Sequence, residues 1–306
     1  MTSLPGLDDI LTARARLAGR TRLVALERAG ADVWWACEYR QPTGSFKIRG
    51  ATNAVLAAAH RGATAVTTAS TGNHARAVTH VARAEGLGVT AFVSRGVAAS
   101  RVRALERAGA RVDRRAADQA EAIARAEAAA VERGQVFVPP FDDPEVIAGQ
   151  GTLGLELGEA LPDLDVVVVP VSGGGLAAGV GLALRGRYPG VRLVGVGAER
   201  APAMARSLAA GRPVAVAEES TVATSLMGDL GADNRFSFAV CREVIDELVL
   251  VSDDDLLAAT GALHAAGHRV EPAAAAGAAL LPRVTGRRVA VVLTGRADAP
   301  DEGKEP

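Results

Sequence analysis

The order in which apolar runs and helical patterns alternate narrows the fold more than any other feature of this chain. Residues 165–171 form a near-continuous apolar run, the pattern of a parallel strand covered on both faces. Shorter β-branched or apolar runs mark further strands at 33–39, 63–68, 89–93, 111–112, 136–138, 191–196, 247–251 and 288–293. Helical patterns lie between most of them, at 49–60, 99–108 and 116–133, and in a stretch ending near Leu161. Alternation of this kind implies an α/β architecture with mostly parallel sheets. A chain of 306 residues can build one large domain or two modest ones. The stretch 51–142, closed by Pro139 and Pro140, has the length of a compact subdomain.

Outside that alternation the sequence is less patterned. Residues 7–18 read as a helix with Leu7, Ile10, Leu11 and Leu17 on one face. Ser252 is placed to cap a helix whose first turn, Asp253-Asp254-Asp255, matches the helix dipole. His264 and His268 stand at i, i+4, but no third ligand is near them in sequence, so a solvated helix face is expected there and no metal.

Three loops carry polar chemistry. The chain has 34 lysines and arginines, yet the only lysines are Lys47 and Lys304. A guanidinium stays protonated, whereas a desolvated ammonium can lose its proton and attack carbonyls, so amine chemistry points to Lys47. The bland alternative is a surface lysine left over in an arginine-rich composition. The flanking Gly44-Ser45-Phe46 argues against that alternative: Ser45 can cap the following helix, and Phe46 can lay a ring beside whatever Lys47 holds. The second loop, Ser70-Thr71-Gly72-Asn73-His74, joins a strand to a helix and presents N–H groups and hydroxyls of the kind that hold anions. The third, Ser172-Gly173-Gly174-Gly175-Leu176, lets the backbone wrap a phosphate in front of a helix N-terminus. It also fits a loose dinucleotide pattern, with Glu199 following the next strand 26 positions after Gly173. That spacing is longer than the usual distance of about 20 residues, and on this loop alone phosphate cofactor and dinucleotide both stay open.

Bulk properties exclude other classes. A net charge of −1 favours neither nucleic acid nor an anionic membrane surface. The N-terminal ten residues are acidic and lack an apolar core, and the most apolar run, 166–171, is too short to span a bilayer. Cys37 and Cys241, far apart in sequence, suggest a reducing compartment without disulfides. A cytoplasmic protein is expected.

Taken together, the segments Gln41–Ala51, Ser70–His74, Phe141–Pro144 with Gly149–Thr152, and Ser172–Leu176 resemble the pyridoxal-phosphate enzymes of the tryptophan-synthase-β type, fold type II, in their serine/threonine dehydratase and serine racemase group. The resemblance runs from about residue 7 to 298. It implies two domains, each an open, twisted, mostly parallel sheet flanked by helices. Residues 1–50 and 143–306 would form the large cofactor domain, and 51–142 the small domain carrying the substrate carboxylate loop. It implies pyridoxal 5'-phosphate held by Lys47, with Phe46 packed on the ring and Asn73 on its 3-hydroxyl. Ser172, Gly173, Gly174, Gly175 and Leu176 would hold the phosphate, Thr294 would meet the pyridine nitrogen, and Glu271 would lie behind the ring. Ser70, Thr71, Gly72, Asn73 and His74 would bind the carboxylate of a small amino acid, with Thr71 facing the ring opposite Lys47. A homodimer is implied as well.

Several positions depart from the group. Cys37 replaces a common lysine. Gly197 and Ala203 stand where many members place acidic cation ligands, so no divalent metal is expected, although Glu199 lies two positions from Gly197. The terminal motif reads Thr294-Gly295-Arg296-Ala297. These features are most similar to the branch called hydroxyectoine utilization dehydratases. The expected activity is dehydration of a small hydroxylated amino acid, in the manner of threonine or serine dehydratases. A racemase or epimerase and a non-catalytic cofactor binder are the alternatives. A dinucleotide reductase would explain neither Lys47 nor the Ser70–His74 loop. Hydroxyectoine is a cyclic amidine without a primary amine, so a ring-opened derivative would have to serve that branch.

Overall fold

The computed structural model describes residues 3–217 and 219–297; Lys304 lies outside the described residues. The chain opens with α1 (Leu7–Leu17), which buries Ile10, Ala13 and Leu17. Leu11, expected on that face, is 46% exposed, because one residue past Ile10 turns it well away from the buried stripe. β1 (Leu26–Arg28) pairs antiparallel with β2 (Val33–Cys37). β2 then stops in a 3-10 turn at Glu38–Arg40, where the sequence pattern suggested continued strand.

α2 (Lys47–His60) begins at the lysine itself, two residues earlier than its apolar pattern suggests. Ser45 does not cap it. Phe46 holds the N-cap position, and the Ser45 hydroxyl is buried without a hydrogen-bond partner. The chain continues through β3 (Ala65–Ala69), α3 (Asn73–Ala84), β4 (Gly88–Ser94), α4 (Ala99–Arg107), β5 (Arg111–Ala116), α5 (Gln119–Glu132) and β6 (Val136–Phe137). These four strands form one parallel sheet in the order β5-β4-β3-β6. Val66, Val89 and Ala91 on one face pack against α2 and α3, and Ala69 and Phe92 on the other pack against Ala122, Ala126 and Ala129 of α5. β5 runs four residues beyond its expected end. It lies at an edge, where Asp113, Arg114 and Arg115 can face water and hide the apolar alternation.

The rest of the chain is α6 (Pro144–Ala160), β7 (Val166–Pro170), α7 (Gly175–Arg187), β8 (Arg192–Ala198), α8 (Ala203–Ala210), α9 (Ser237–Val244), β9 (Glu247–Val251), α10 (Asp253–Ala265), α11 (Ala276–Leu280) and β10 (Val289–Leu293). With β1 and β2 these strands make a second sheet, β1-β2-β10-β7-β8-β9, parallel except at the β1 edge. β7 is buried along its whole length, as its uninterrupted valines require. Val167 and Val169 enter the core under α6 and α7, whereas Val166 and Val168 pack with Leu256 of α10 and Leu280 of α11. The short helices α8, α9 and α11 carry no periodic signal long enough to read from the sequence. Ser252 caps α10 as expected, accepting from Asp255 N–H at 3.1 Å. His264 and His268 do not share a solvated face. α10 ends before His268, which is only 7% exposed, and His264 Nε2 lies 2.8 Å from the Val270 carbonyl. Among the described residues no helix is long and apolar enough to cross a membrane.

α2, α6 and the 3-10 turn are tied by one buried cation. Arg49, completely buried, donates to Glu38 at 2.7 and 2.8 Å and to Glu156 at 2.7 and 2.8 Å, forking to both carboxylates. Thr152 accepts from it at 3.1 Å. Burial is the largest single influence and works against the guanidinium's charge, but the Glu38 and Glu156 carboxylates together outweigh it and hold its pKa above the ordinary arginine value. We expect Arg49→Ala to destabilise the protein by about 3–5 kcal/mol, because it leaves Glu38 buried and unpaired. Arg49→Lys should recover only part of this, since one ammonium cannot fork to two carboxylates. Urea unfolding followed by circular dichroism checks both, and equal stability of Arg49→Ala and wild type would refute the role.

Candidate active site

The elements above bring four loop ends together at the junction of the two sheets. Lys47 enters on the first residue of α2, and its Nζ donates to the Pro140 carbonyl at 2.7 Å. The amine lies 5.0 Å from the centroid of the Phe46 ring. Burial lowers its pKa to about 8, against an opposing pull from the negative charge of Glu271. A neutral amine is therefore accessible near physiological pH.

Pro140 leads directly to Phe141, and Phe141 forms the floor of the glycine loop. A side-chain carbon on Gly173 would sit 2.3 Å from the Phe141 ring, and one on Gly175 would sit 2.9 Å from its backbone. Gly174 has φ +87° and is the N-cap of α7, with no side chain capping that terminus. A β-carbon there would meet Met204 at 2.6 Å and Cys241 at 2.9 Å. All three glycines are thus required by close approach, and Gly174 also by its left-handed backbone. The uncapped N–H groups of α7 face the loop, which is the donor set a phosphate needs. Ser172 Oγ donates to Met227 O at 3.4 Å, and Leu176 is buried in the first turn of α7. Asp142, next to Phe141, accepts from the N–H groups of Arg235, Phe236 and Ser237 at 2.7, 2.9 and 2.8 Å, and so anchors the start of α9 beside the loop.

The third loop enters at the start of α3. Gly72 is its N-cap, and Ser70 Oγ accepts from Gly72 N–H at 3.2 Å. Ser70, Thr71 and Asn73 are half-buried. Asn73 Nδ2 donates to Glu271 Oε1 at 3.0 Å, and Ser225 Oγ donates to Glu271 Oε2 at 2.9 Å. His74 differs from its neighbours: its ring is buried, with Nε2 2.9 Å from the Val138 carbonyl. Facing a carbonyl, Nε2 carries the proton, and Nδ1 is buried without a partner. Burial, then the nearby Lys47 charge, push its pKa to about 3, so the imidazole is neutral. The His74 side chain is thus turned into the core, and only its backbone remains for an anion at that loop.

The fourth loop follows β10. The Thr294 carbonyl accepts from Phe46 N–H at 3.0 Å, and Gly295 bridges to Ser45. A β-carbon on Gly295 would collide with Glu271 Oε1 at 2.5 Å and sit 3.1 Å from Asn73 Nδ2. Thr294, Glu271 and Asn73 therefore gather around the Lys47 entrance. Nothing in the sequence marks Pro140, Phe141 or Ser225 as site residues. Phe141 lies in a quoted motif, but its packing beneath the glycines leaves no mark in the sequence. Gly197 is packed against Leu250, Ala203 is buried, and Glu199 is exposed.

A lysine of lowered basicity, a glycine cradle shaped for phosphate and a half-buried amide–carboxylate pair fit pyridoxal phosphate, and known proteins agree. The family described as pyridoxal-phosphate dependent enzyme matches residues 15–295. A Sinorhizobium fredii protein provisionally named threonine dehydratase is 42% identical, covering 95% of this chain and 91% of its own. The L-threonine ammonia-lyase of Geobacter sulfurreducens is 38% identical, over 97% of this chain and 75% of its own. The solved structure of maize serine racemase superposes with a TM-score of 0.90 at 28% identity, covering 97% of this chain and 95% of that one. The chain belongs to the pyridoxal-phosphate dependent enzymes, with the two-sheet architecture of their fold type II, and pyridoxal 5'-phosphate is its cofactor.

Proposed function

We propose that this enzyme is a lyase that removes water and then ammonia from a small β-hydroxy amino acid of the threonine or serine kind. The observation that carries the reading is the Lys47 amine, held at the junction of the two sheets with a pKa lowered to about 8. The threonine names of two relatives support the substrate class. Pyridoxal phosphate supplies a carbonyl that captures the substrate amine and a ring that draws electrons from Cα. Lys47 would carry it, Phe46 and Asn73 would orient the ring, and Ser172, Gly173, Gly174, Gly175 and Leu176 would hold the phosphate. Thr294 would meet the ring nitrogen with a hydroxyl in place of a carboxylate, which suits elimination. Ser70, Thr71, Gly72 and Asn73, with the backbone of His74, would clamp the substrate carboxylate. The neutral Lys47 amine then takes the Cα proton. Lys47 would return that proton to the Cβ hydroxyl, which leaves as water, and a second water then cleaves the C=N bond of the released product to give a keto acid and ammonia.

Glu271 sets the readiness of that base, because its charge favours the ammonium form. Its own position is fixed by Asn73 and Ser225. A serine racemase-like activity is the second reading, favoured by the maize superposition. Thr71 keeps the hydroxyl that such an activity needs opposite the lysine, but its extra methyl stiffens the side chain. The free, buried Cys37 and Cys241 support a reducing, cytoplasmic setting, and a homodimer is the assembly we propose. Hydroxyectoine degradation rests on the motif resemblance alone.

Incubation with threonine, serine, hydroxyectoine and ring-opened hydroxyectoine tests the reading. We expect ammonia and keto acid from threonine or serine, with racemisation slower than elimination. Absence of any dehydrated product would sink the lyase assignment, and D/L interconversion as fast as elimination would favour the racemase. Glu271→Gln tests the tuning of Lys47. Losing the carboxylate should shift the pH midpoint of Lys47 modification by an amine-reactive reagent to lower pH in cofactor-free protein. An unchanged or raised midpoint contradicts it.

A further inference from the structure

A second constellation of side chains stands at the end of β2. Cys37 Sγ, an imidazole nitrogen of His268 and a carboxylate oxygen of Glu27 all lie within 4.8 Å of one another. Cys37 ends β2, Glu27 is the middle residue of β1, and His268 follows α10. Cys37 and His268 are buried, and Glu27 is half-buried. His268 Nδ1 lies 3.0 Å from the Tyr39 hydroxyl and 3.7 Å from Glu27 Oε2. The rings of Trp35 and Tyr39 meet the imidazole edge-on at 6.3 and 6.2 Å, so its orientation is fixed by packing. On the outer side the exposed Arg40 pairs with Glu27 and covers the Tyr39 ring.

We propose that Glu27, Cys37 and His268 form a site for a borderline transition-metal cation of the Zn2+ or Co2+ class, with the fourth position left to Tyr39 or water. Sulfur, nitrogen and oxygen together are the ligand set of such ions, whereas Mg2+ and Ca2+ take oxygen alone. Zinc bonds of about 2.0–2.3 Å place neighbouring ligand atoms roughly 3.3–3.8 Å apart, so the three groups must close by about 1 Å. Glu27 can make that movement, because it sits half-buried on a short edge strand. It need only release Arg40, whose exposed ion pair contributes little. Arg40 and the partly exposed Tyr39 also mark the way in. Burial, then the Glu27 charge, raise the Cys37 pKa to about 11, so metal capture expels the thiol proton to solvent.

The site adjoins the catalytic groups without sharing a residue with them. Cys37 is paired in register with Leu293, the residue before Thr294. Val270 N–H donates to the His268 carbonyl at 3.1 Å, and Glu271 N–H to the Gly295 carbonyl at 3.1 Å. It is separate from the oxygen-ligand position that Gly197 and Ala203 leave without carboxylates.

Untagged holoenzyme, cleared of metal by a chelator and titrated with Co2+, tests the proposal. Four-coordinate Co2+ gives intense visible bands, and equilibrium dialysis counts the ions bound. We expect one equivalent per chain, displaced by Zn2+, and at least about tenfold weaker binding in Cys37→Ser, His268→Gln and Glu27→Gln. Cys241→Ser should keep the bands. Wild type without four-coordinate bands, or bands lost in Cys241→Ser, would overturn the site. If Cys37→Ser or His268→Gln fails to fold, Glu27→Gln decides alone: its side chain is half-buried at an edge, and unchanged Co2+ affinity there rejects the proposal.

Discussion

Arg49 is the charge around which this enzyme is assembled. Its guanidinium forks to Glu38 at the end of β2 and to Glu156 on α6, while its own backbone belongs to the second residue after Lys47. The three segments that define the lysine's position are therefore held by a single fully buried cation. Secondary ties extend the network: Gln41 Nε2 donates to Glu38 and to the Arg22 carbonyl, and Val24 N–H donates to Glu156 at 2.7 Å. A buried ion pair of this kind is not evidence of stability over an apolar core. What it supplies is a unique register. No apolar side chain could satisfy both carboxylates, so α2 has one place to start, and the Lys47 amine has one place to point.

Glycine contacts set the second constraint. A β-carbon on Gly149 of α6 would lie 2.7 Å from Gly50 of α2, and one on Gly179 of α7 would lie 2.3 Å from the Ile147 carbonyl of α6. The three helices behind the site thus touch backbone to backbone, closer than side chains would allow. This packing brings the N-terminus of α7, and with it the glycine loop, against Phe141, the residue after Pro140. Pro140 is the residue whose carbonyl holds the Lys47 amine. The glycine loop and the Lys47 amine, which we propose as cofactor cradle and base, are coupled through two residues of one short loop.

The parallel sheets were legible in the sequence because β7 and its neighbours are buried on both faces and so read as unbroken apolar runs. β5 was cut short because an edge strand is free to carry Asp113, Arg114 and Arg115. The lysine and glycine loops stood out for chemical reasons, rarity in one case and backbone freedom in the other. The partners that tune them did not: Phe141, Ser225 and Glu156 are ordinary residues whose roles arise only from long-range contact. His74 and His268 show the same limit in opposite directions. His74 reads as a site residue, yet its ring serves the core. His268 reads as solvated, yet it is buried among groups contributed by β1 and β2. Periodicity reports which face of an element is apolar, not which distant chain segment will cover it.

We propose that a single amine, Lys47, carries the cofactor at the meeting point of the two sheets. Borohydride reduction of the holoenzyme, followed by proteolysis and mass spectrometry, tests it directly, because the chain offers only two lysines. We expect a reduced pyridoxyl group on the peptide containing Lys47 and none on the peptide containing Lys304. A label on Lys304, or no label in protein shown to contain the cofactor, would contradict it.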